Sequence, residues 1–192
     1  MTLPNLLTLL RVAAIPLIVA GIVAPAPVLG IDIRLLAVLL FMAATATDWL
    51  DGYLARRLDQ ISALGRMMDP VADKMLVASV LVALSAAGEL SGWEVIPTLI
   101  IIARELLISG LREALASRTV ILPVTFLAKI KTSVQLAALT LLIAAPLHFL
   151  APLPVTEVAI TALWLAAALT LVTGMQYLFT GLRHLGAVRP GE

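Results

Sequence analysis

Apolar residues run along this chain in six long stretches, roughly Leu6–Val23, Ile33–Tyr53, Val71–Ala87, Val95–Leu115, Val124–Leu147 and Val155–Thr180. The gaps are punctuated by Pro25 and Pro27, Gly88 and Gly92, Pro123, and Pro152 with Pro154, residues that end or turn helices. A helix needs about 20 mostly apolar residues to cross a bilayer core. The pattern therefore predicts an all-α integral membrane protein, a six-transmembrane-helix bundle. No internal repeat or low-complexity tract divides it, so a single membrane domain over 1–192 is expected. The first stretch is read as a mature segment rather than a signal peptide, because it lacks a basic start and Arg11 interrupts it.

Composition sharpens this picture. Hydrophobic residues make up 61% of the 192 and charged residues only 13%, about half the charged share of a soluble domain. Mean hydropathy is +1.08. Cysteine is absent, which excludes disulfides, thiolate metal sites and cysteine nucleophiles. The formal net charge of +1 gives no sign of a nucleic-acid partner. The distribution of charge says more. Arg56, Arg57, Arg66, Lys74, Arg112, Arg118, Lys129, Lys131, Arg183, Arg189 and Arg11 fall on one side of the expected bundle, and only Arg34 on the other. The positive-inside rule then places both termini in the cytoplasm.

The polar exception to the apolar pattern is the stretch from Asp48 to Lys74, DWLDGYLARRLDQISALGRMMDPVADK. Carboxylates near hydrocarbon are costly and mark function. Asp48 and Asp51 are three apart and share a face at the end of the second predicted helix. Asp69 and Asp73 are four apart and share a face where the third begins, with Pro70 suited to its first turn. The segment from Arg56 to Arg66 reads as a turn between them. Four carboxylates brought that close repel one another, and bound divalent cations are the natural compensation. Hard oxygen donors suit Mg2+ or Mn2+, and a pair of such ions can hold a transferring phosphate from both sides. Gly52 and Gly65 leave room for a nucleotide or backbone to approach, and Arg56 offers a fork to phosphate oxygens.

The order Asp-x2-Asp-Gly-x2-Ala-Arg-x8-Gly-x3-Asp-x3-Asp, met here by Asp48, Asp51, Gly52, Ala55, Arg56, Gly65, Asp69 and Asp73, resembles the signature of the CDP-alcohol phosphotransferases. The resemblance implies that Asp48, Asp51, Asp69 and Asp73 bind a pair of Mg2+ or Mn2+ ions and that Asp73 also acts as the base that deprotonates an acceptor alcohol. It implies a CDP pocket lined by Gly52, Arg56, Ser62 and Gly65. The opening Pro4-Asn5-Leu6-Leu7-Thr8-Leu9-Leu10-Arg11 is similar to the family's amino-terminal segment, in which Asn5 and Thr8 touch the nucleotide diphosphate. Homodimers are usual in that family, so a homodimer is implied here.

The aspartate motif does not name the acceptor. The fourth predicted helix carries Arg104, Glu105, Ser109, Arg112 and Glu113, and the fifth opens with Lys129 and Lys131. Arg104 and Arg112 lie near one helical face, two turns apart. Together Arg104, Arg112, Lys129 and Lys131 suit an acceptor that carries its own phosphate, although Arg104 could instead pair with Glu105 or Glu113. The segments IIIARELLISGLREALA and FLAKIKTSVQLAAL resemble the bacterial phosphatidylglycerophosphate synthases of this family. That resemblance implies transfer of the phosphatidyl group from CDP-diacylglycerol to glycerol 3-phosphate, at the cytoplasmic side of a bacterial inner membrane. Another acceptor, such as inositol phosphate, phosphatidylglycerol or serine, stays open. A cation-coupled transporter is a further alternative, although its carboxylates would be spread through the membrane depth. His148 and His184 read as solvated or interfacial, and Trp93 as an interface anchor.

Overall fold

The computed structural model describes residues 3–24, 32–58, 63–116 and 125–186, with side chains at 3–4, 48–58, 63–67, 69, 116 and 182–186 excepted. Six α-helices fill these segments: α1 Leu3–Val23, α2 Ile33–Leu58, α3 Ala63–Ala86, α4 Val95–Ala116, α5 Phe126–Ala144 and α6 Val155–Gly186. Short 3₁₀ turns, Gly92–Glu94 and His148–Leu150, precede α4 and α6. There is no strand among the described residues. Three segments, Asn5–Val23, Phe126–Ala144 and Val155–Gly181, are long and apolar enough to cross a membrane, and Ile33–Thr47 is a shorter apolar helix. This is the make-up of a membrane-embedded protein. Large side chains such as Leu17, Leu39, Leu99, Leu106 and Phe179 are exposed, as a lipid-facing surface allows.

The chain divides into two compact units. The first contains Met1–Gly92 and Leu139–Ala159, and so holds α1, α2, α3 and the end of α5. In it α1 packs against both α2 and α3, around a core that includes Ile15, Ile18, Ile22, Phe41, Leu76, Val80 and Leu84. Gly21 permits the closest approach: a Cβ there would lie 2.8 Å from the Ala37 Cβ and 2.8 Å from the Ile33 carbonyl oxygen. α3 ends in a Schellman motif, with Gly88 at φ +79°. The Gly88 N–H bonds to the Ser85 carbonyl at 3.1 Å and the Glu89 N–H to the Leu84 carbonyl at 3.0 Å, which satisfies carbonyls the helix leaves open.

A second feature closes the same end of this unit. Arg34, at the start of α2, donates from Nη1 to the Ile22 carbonyl at 2.7 Å and from Nε to the Ile143 carbonyl at 2.7 Å. Its Nη2 pairs with Glu89 Oε2 at 2.5 Å and lies 3.5 Å from the Leu142 carbonyl. Ile22, Leu142 and Ile143 sit in the last turns of α1 and α5, where carbonyls have no partner within the helix and a cation is favoured by the helix dipole. The single basic residue expected on that side of the bundle is therefore a structural clamp.

The second unit contains Trp93–Ala138 and Ile160–Glu192, which hold α4, most of α5 and most of α6. Its buried cluster is Ile108, Leu115 and Tyr177, with Leu111 and Ala128 packed on it.

Three local expectations need correction. The stretch expected as a turn from Arg56 to Arg66 is helical at both ends, because α2 continues to Leu58 and α3 already begins at Ala63. Pro70 accordingly lies inside α3 and not in its first turn. Ala, Leu, Arg and Met are good helix formers, so the helices persist through polar sequence where hydropathy alone would end them. α6 likewise runs beyond the expected Thr180 to Gly186.

Candidate functional site

In the first unit the acidic motif is carried entirely on two helices. α2 holds Asp48, Asp51, Gly52 and Arg56, and α3 holds Gly65, Asp69 and Asp73. Ser62, and the side chains of Asp48, Asp51, Arg56 and Asp69, lie outside the described residues. Asp73 is half-buried and engaged with a partner. The helix that packs against both motif helices is α1, and it contributes a polar stripe to its otherwise apolar surface. Asn5 and Thr8 are buried on it, three residues apart. Arg11 follows after three more and is only 2% exposed. The sequence reading gave Arg11 no role beyond orientation. Its position three residues from Thr8, in a segment of hydropathy 2.4, was the available signal, since an arginine at such depth is costly unless engaged.

The donor set fits a hard divalent ion. All four motif side chains are carboxylates, and these match Mg2+ or Mn2+ in kind. Among the described residues there is no group of three or more His, Asp or Glu that could hold a metal ion, and the side chains of Asp48, Asp51 and Asp69 lie outside those residues.

In the second unit the structure brings most of the expected cations into contact with named partners. Lys131, on α5, is 4% exposed, and its Nζ pairs with Glu105 Oε1 on α4. Arg104 Nη1 lies 3.3 Å from the same oxygen, and Arg104 Nη2 donates to Thr173 Oγ1 on α6 at 3.3 Å. Of the two partners weighed for Arg104, Glu105 is the one found. The Arg104 and Arg112 guanidinium carbons lie 5.8 Å and 5.1 Å from the centre of the Tyr177 ring, within cation–π range. Arg112 and Lys129 are exposed. Four buried polar atoms described in this unit have no hydrogen-bond partner: Thr98 Oγ1 and Arg104 Nε on α4, Gln135 Oε1, one turn beyond Lys131 on α5, and Thr170 Oγ1 on α6. Unsatisfied buried polar atoms call for an explanation, and a ligand that brings both acceptors and donors supplies one.

Glu105, Thr173 and Tyr177 were not expected as site residues. Glu105 was considered only as a possible partner, and Tyr177, in the last predicted helix, was given no role. The signal there was a pattern of Gly174, Tyr177 and Gly181 at spacings of three and four, which shares one helical face.

Residues 1–172 match the model of the CDP-alcohol phosphatidyltransferase family. Curated relatives match over nearly their whole length. The chain is 42% identical over 179 residues to the CDP-diacylglycerol–glycerol-3-phosphate 3-phosphatidyltransferase of Rickettsia bellii, covering 91% of this chain and 92% of the relative. It is 41% identical to the protein of that name from Pectobacterium atrosepticum, covering 95% of each. It is 36% identical to the one from Bacillus subtilis, covering 91% and 92%. The chain belongs to the CDP-alcohol phosphatidyltransferase family, and it is an enzyme.

Proposed function

We propose that this chain transfers the phosphatidyl group of CDP-diacylglycerol to glycerol 3-phosphate, giving phosphatidylglycerophosphate and CMP. The observation that carries this reading is the likeness, at 36–42% identity across nine-tenths of the chain, to relatives bearing the name of that activity. The intact eight-position motif on α2 and α3 supports it.

Asp48, Asp51, Asp69 and Asp73 are the residues that would hold a pair of Mg2+ or Mn2+ ions, which when bound would supply positive charge to offset that of the diphosphate and the departing CMP. Asn5, Thr8, Gly52, Arg56, Ser62 and Gly65 line the CDP pocket. The Asp73 carboxylate takes the proton from the acceptor's primary hydroxyl. The acceptor oxygen then bonds to the lipid-linked phosphorus as the bond to CMP breaks. Arg104, Arg112, Lys129 and Lys131 bind the acceptor phosphate. The buried Arg104 Nε, a donor without an acceptor, supports that role. Glu105 takes part of the charge of Arg104 and Lys131, so the pocket is less positive than four bare cations.

The proposed setting is a single domain of six spans in a bacterial inner membrane, with both termini and the aspartate motif on the cytoplasmic side, acting as a homodimer. The charge asymmetry of the loops supports the orientation. Purified protein supplied with CDP-diacylglycerol and, in turn, glycerol 3-phosphate, inositol phosphate, serine and phosphatidylglycerol tests the acceptor. CMP release with glycerol 3-phosphate alone is expected. Use of another acceptor in its place would overturn the assignment.

A further inference from the structure

We infer that Tyr177 is a positioning residue for the acceptor-phosphate pocket, its ring fixing the guanidiniums of Arg104 and Arg112 without itself taking up their charge. This inference deepens the glycerol 3-phosphate reading and rests on it.

The tyrosine is itself held firmly. It is 4% exposed and packs with Ile108 and Leu115 of α4. Its hydroxyl accepts a hydrogen bond from the Thr125 backbone N–H at 3.2 Å, which ties the ring to the start of α5. The α6 face on either side is cut away to admit α4. A Cβ at Gly174 would lie 2.9 Å from Arg104 Cγ, and one at Gly181 would lie 2.8 Å from Leu111 Cδ2. The Gly174–Tyr177–Gly181 face therefore acts as a socket: a gap for the Arg104 stem, a ring beside its guanidinium, and a gap for the α4 side chain two turns on.

The choice of an aromatic partner has a chemical consequence. A carboxylate such as Glu105 holds a cation by its N–H groups and cancels its charge. A ring attracts the cation through its quadrupole and occupies none of its N–H groups; Arg104 spends Nη1 on Glu105 and Nη2 on Thr173 and keeps Nε open for a phosphate oxygen. Arginine also loses considerable rotamer freedom when it is fixed. A guanidinium already held by a ring has less of that cost left when the ligand arrives. Both arginines of the proposed pocket meet the same ring, so one side chain orders two ligand groups.

The test uses the full chain, purified, with CMP release measured while each substrate is varied in turn. Tyr177→Phe keeps the ring, and its KM for glycerol 3-phosphate is expected to stay within about two-fold of wild type, whereas Tyr177→Leu is expected to raise that KM about ten-fold. The KM for CDP-diacylglycerol is expected to be unchanged in both. Gly174→Ala, which pushes on the Arg104 stem, is expected to raise the glycerol 3-phosphate KM selectively and serves if Tyr177→Leu fails to accumulate. The inference is overturned if the leucine and alanine variants leave that KM unchanged, if both substrates' KM values rise together, or if phenylalanine is as damaging as leucine. Arg104→Gln and Arg112→Gln separate the two levels. If they raise the glycerol 3-phosphate KM and Tyr177→Leu does not, positioning by Tyr177 fails and the acceptor pocket stands. If they too have no effect, the pocket itself is wrong.

Discussion

Replacing Arg34 with alanine is expected to loosen the end of the first unit away from the aspartate motif. Arg34 is 12% exposed at its side chain and its partner Glu89 is 26% exposed. The substitution removes two 2.7 Å bonds to the Ile22 and Ile143 carbonyls and the pair with Glu89. Removing one partner of a buried pair costs about 3–5 kcal/mol. Arg34 and Glu89 both line a cavity of about 520 Å³ together with Asp32 and His148, so water can enter and solvate what is left. The lower end, about 3 kcal/mol, is therefore the expected loss. At about 2–4 °C per kcal/mol for a chain of this size, the unfolding midpoint should fall by about 6–12 °C. Arg34→Lys keeps the charge but not the planar fork and should fall between the two. The assay is thermal unfolding in detergent, followed by tryptophan fluorescence, with Glu89→Ala and the double variant completing a cycle. A midpoint for Arg34→Ala within about 2 °C of wild type would refute the clamp. So would strict additivity with Glu89→Ala, since the argument depends on their coupling.

Three further outcomes are expected. Asp73→Asn should abolish CMP release with an unchanged unfolding midpoint, and near-normal turnover would remove Asp73 from the role of base. Chelation of divalent ions should stop turnover, and added Mg2+ or Mn2+ should restore it; activity that persists after exhaustive chelation would contradict the metal role of the four aspartates. Gly21→Ala should destabilise the α1–α2 contact by about 1–3 kcal/mol, because its Cβ meets backbone and a core methyl at 2.8 Å; an unchanged midpoint would show that α1 can shift away freely.

The apolar stretches made the six helices legible, and the starts of α2, α4 and α6 fall at Ile33, Val95 and Val155 as the hydropathy pattern suggests. The ends in polar sequence were not legible in the same way. Hydropathy falls off at Tyr53 and recovers only at Val71, yet Ala55, Leu58, Ala63, Met67 and Met68 keep the backbone helical. The aspartate motif could be read because its spacing is local. The partners of the cations could not, because Lys131 and Glu105 are 26 residues apart and Arg104 and Thr173 are 69 apart. No single helical pattern encodes such a meeting. Arg34 shows the same limit: its charge marked it as an exception to orientation, and only the folded chain reveals the three carbonyls it serves.

The most direct test of the central claim is the binding of Mn2+ to the purified protein in the presence of CDP, followed by electron paramagnetic resonance. The account predicts a spin-coupled pair of ions in the wild type, disrupted in each of Asp48→Asn, Asp51→Asn, Asp69→Asn and Asp73→Asn. Absence of bound Mn2+, or a signal indifferent to all four substitutions, would contradict it.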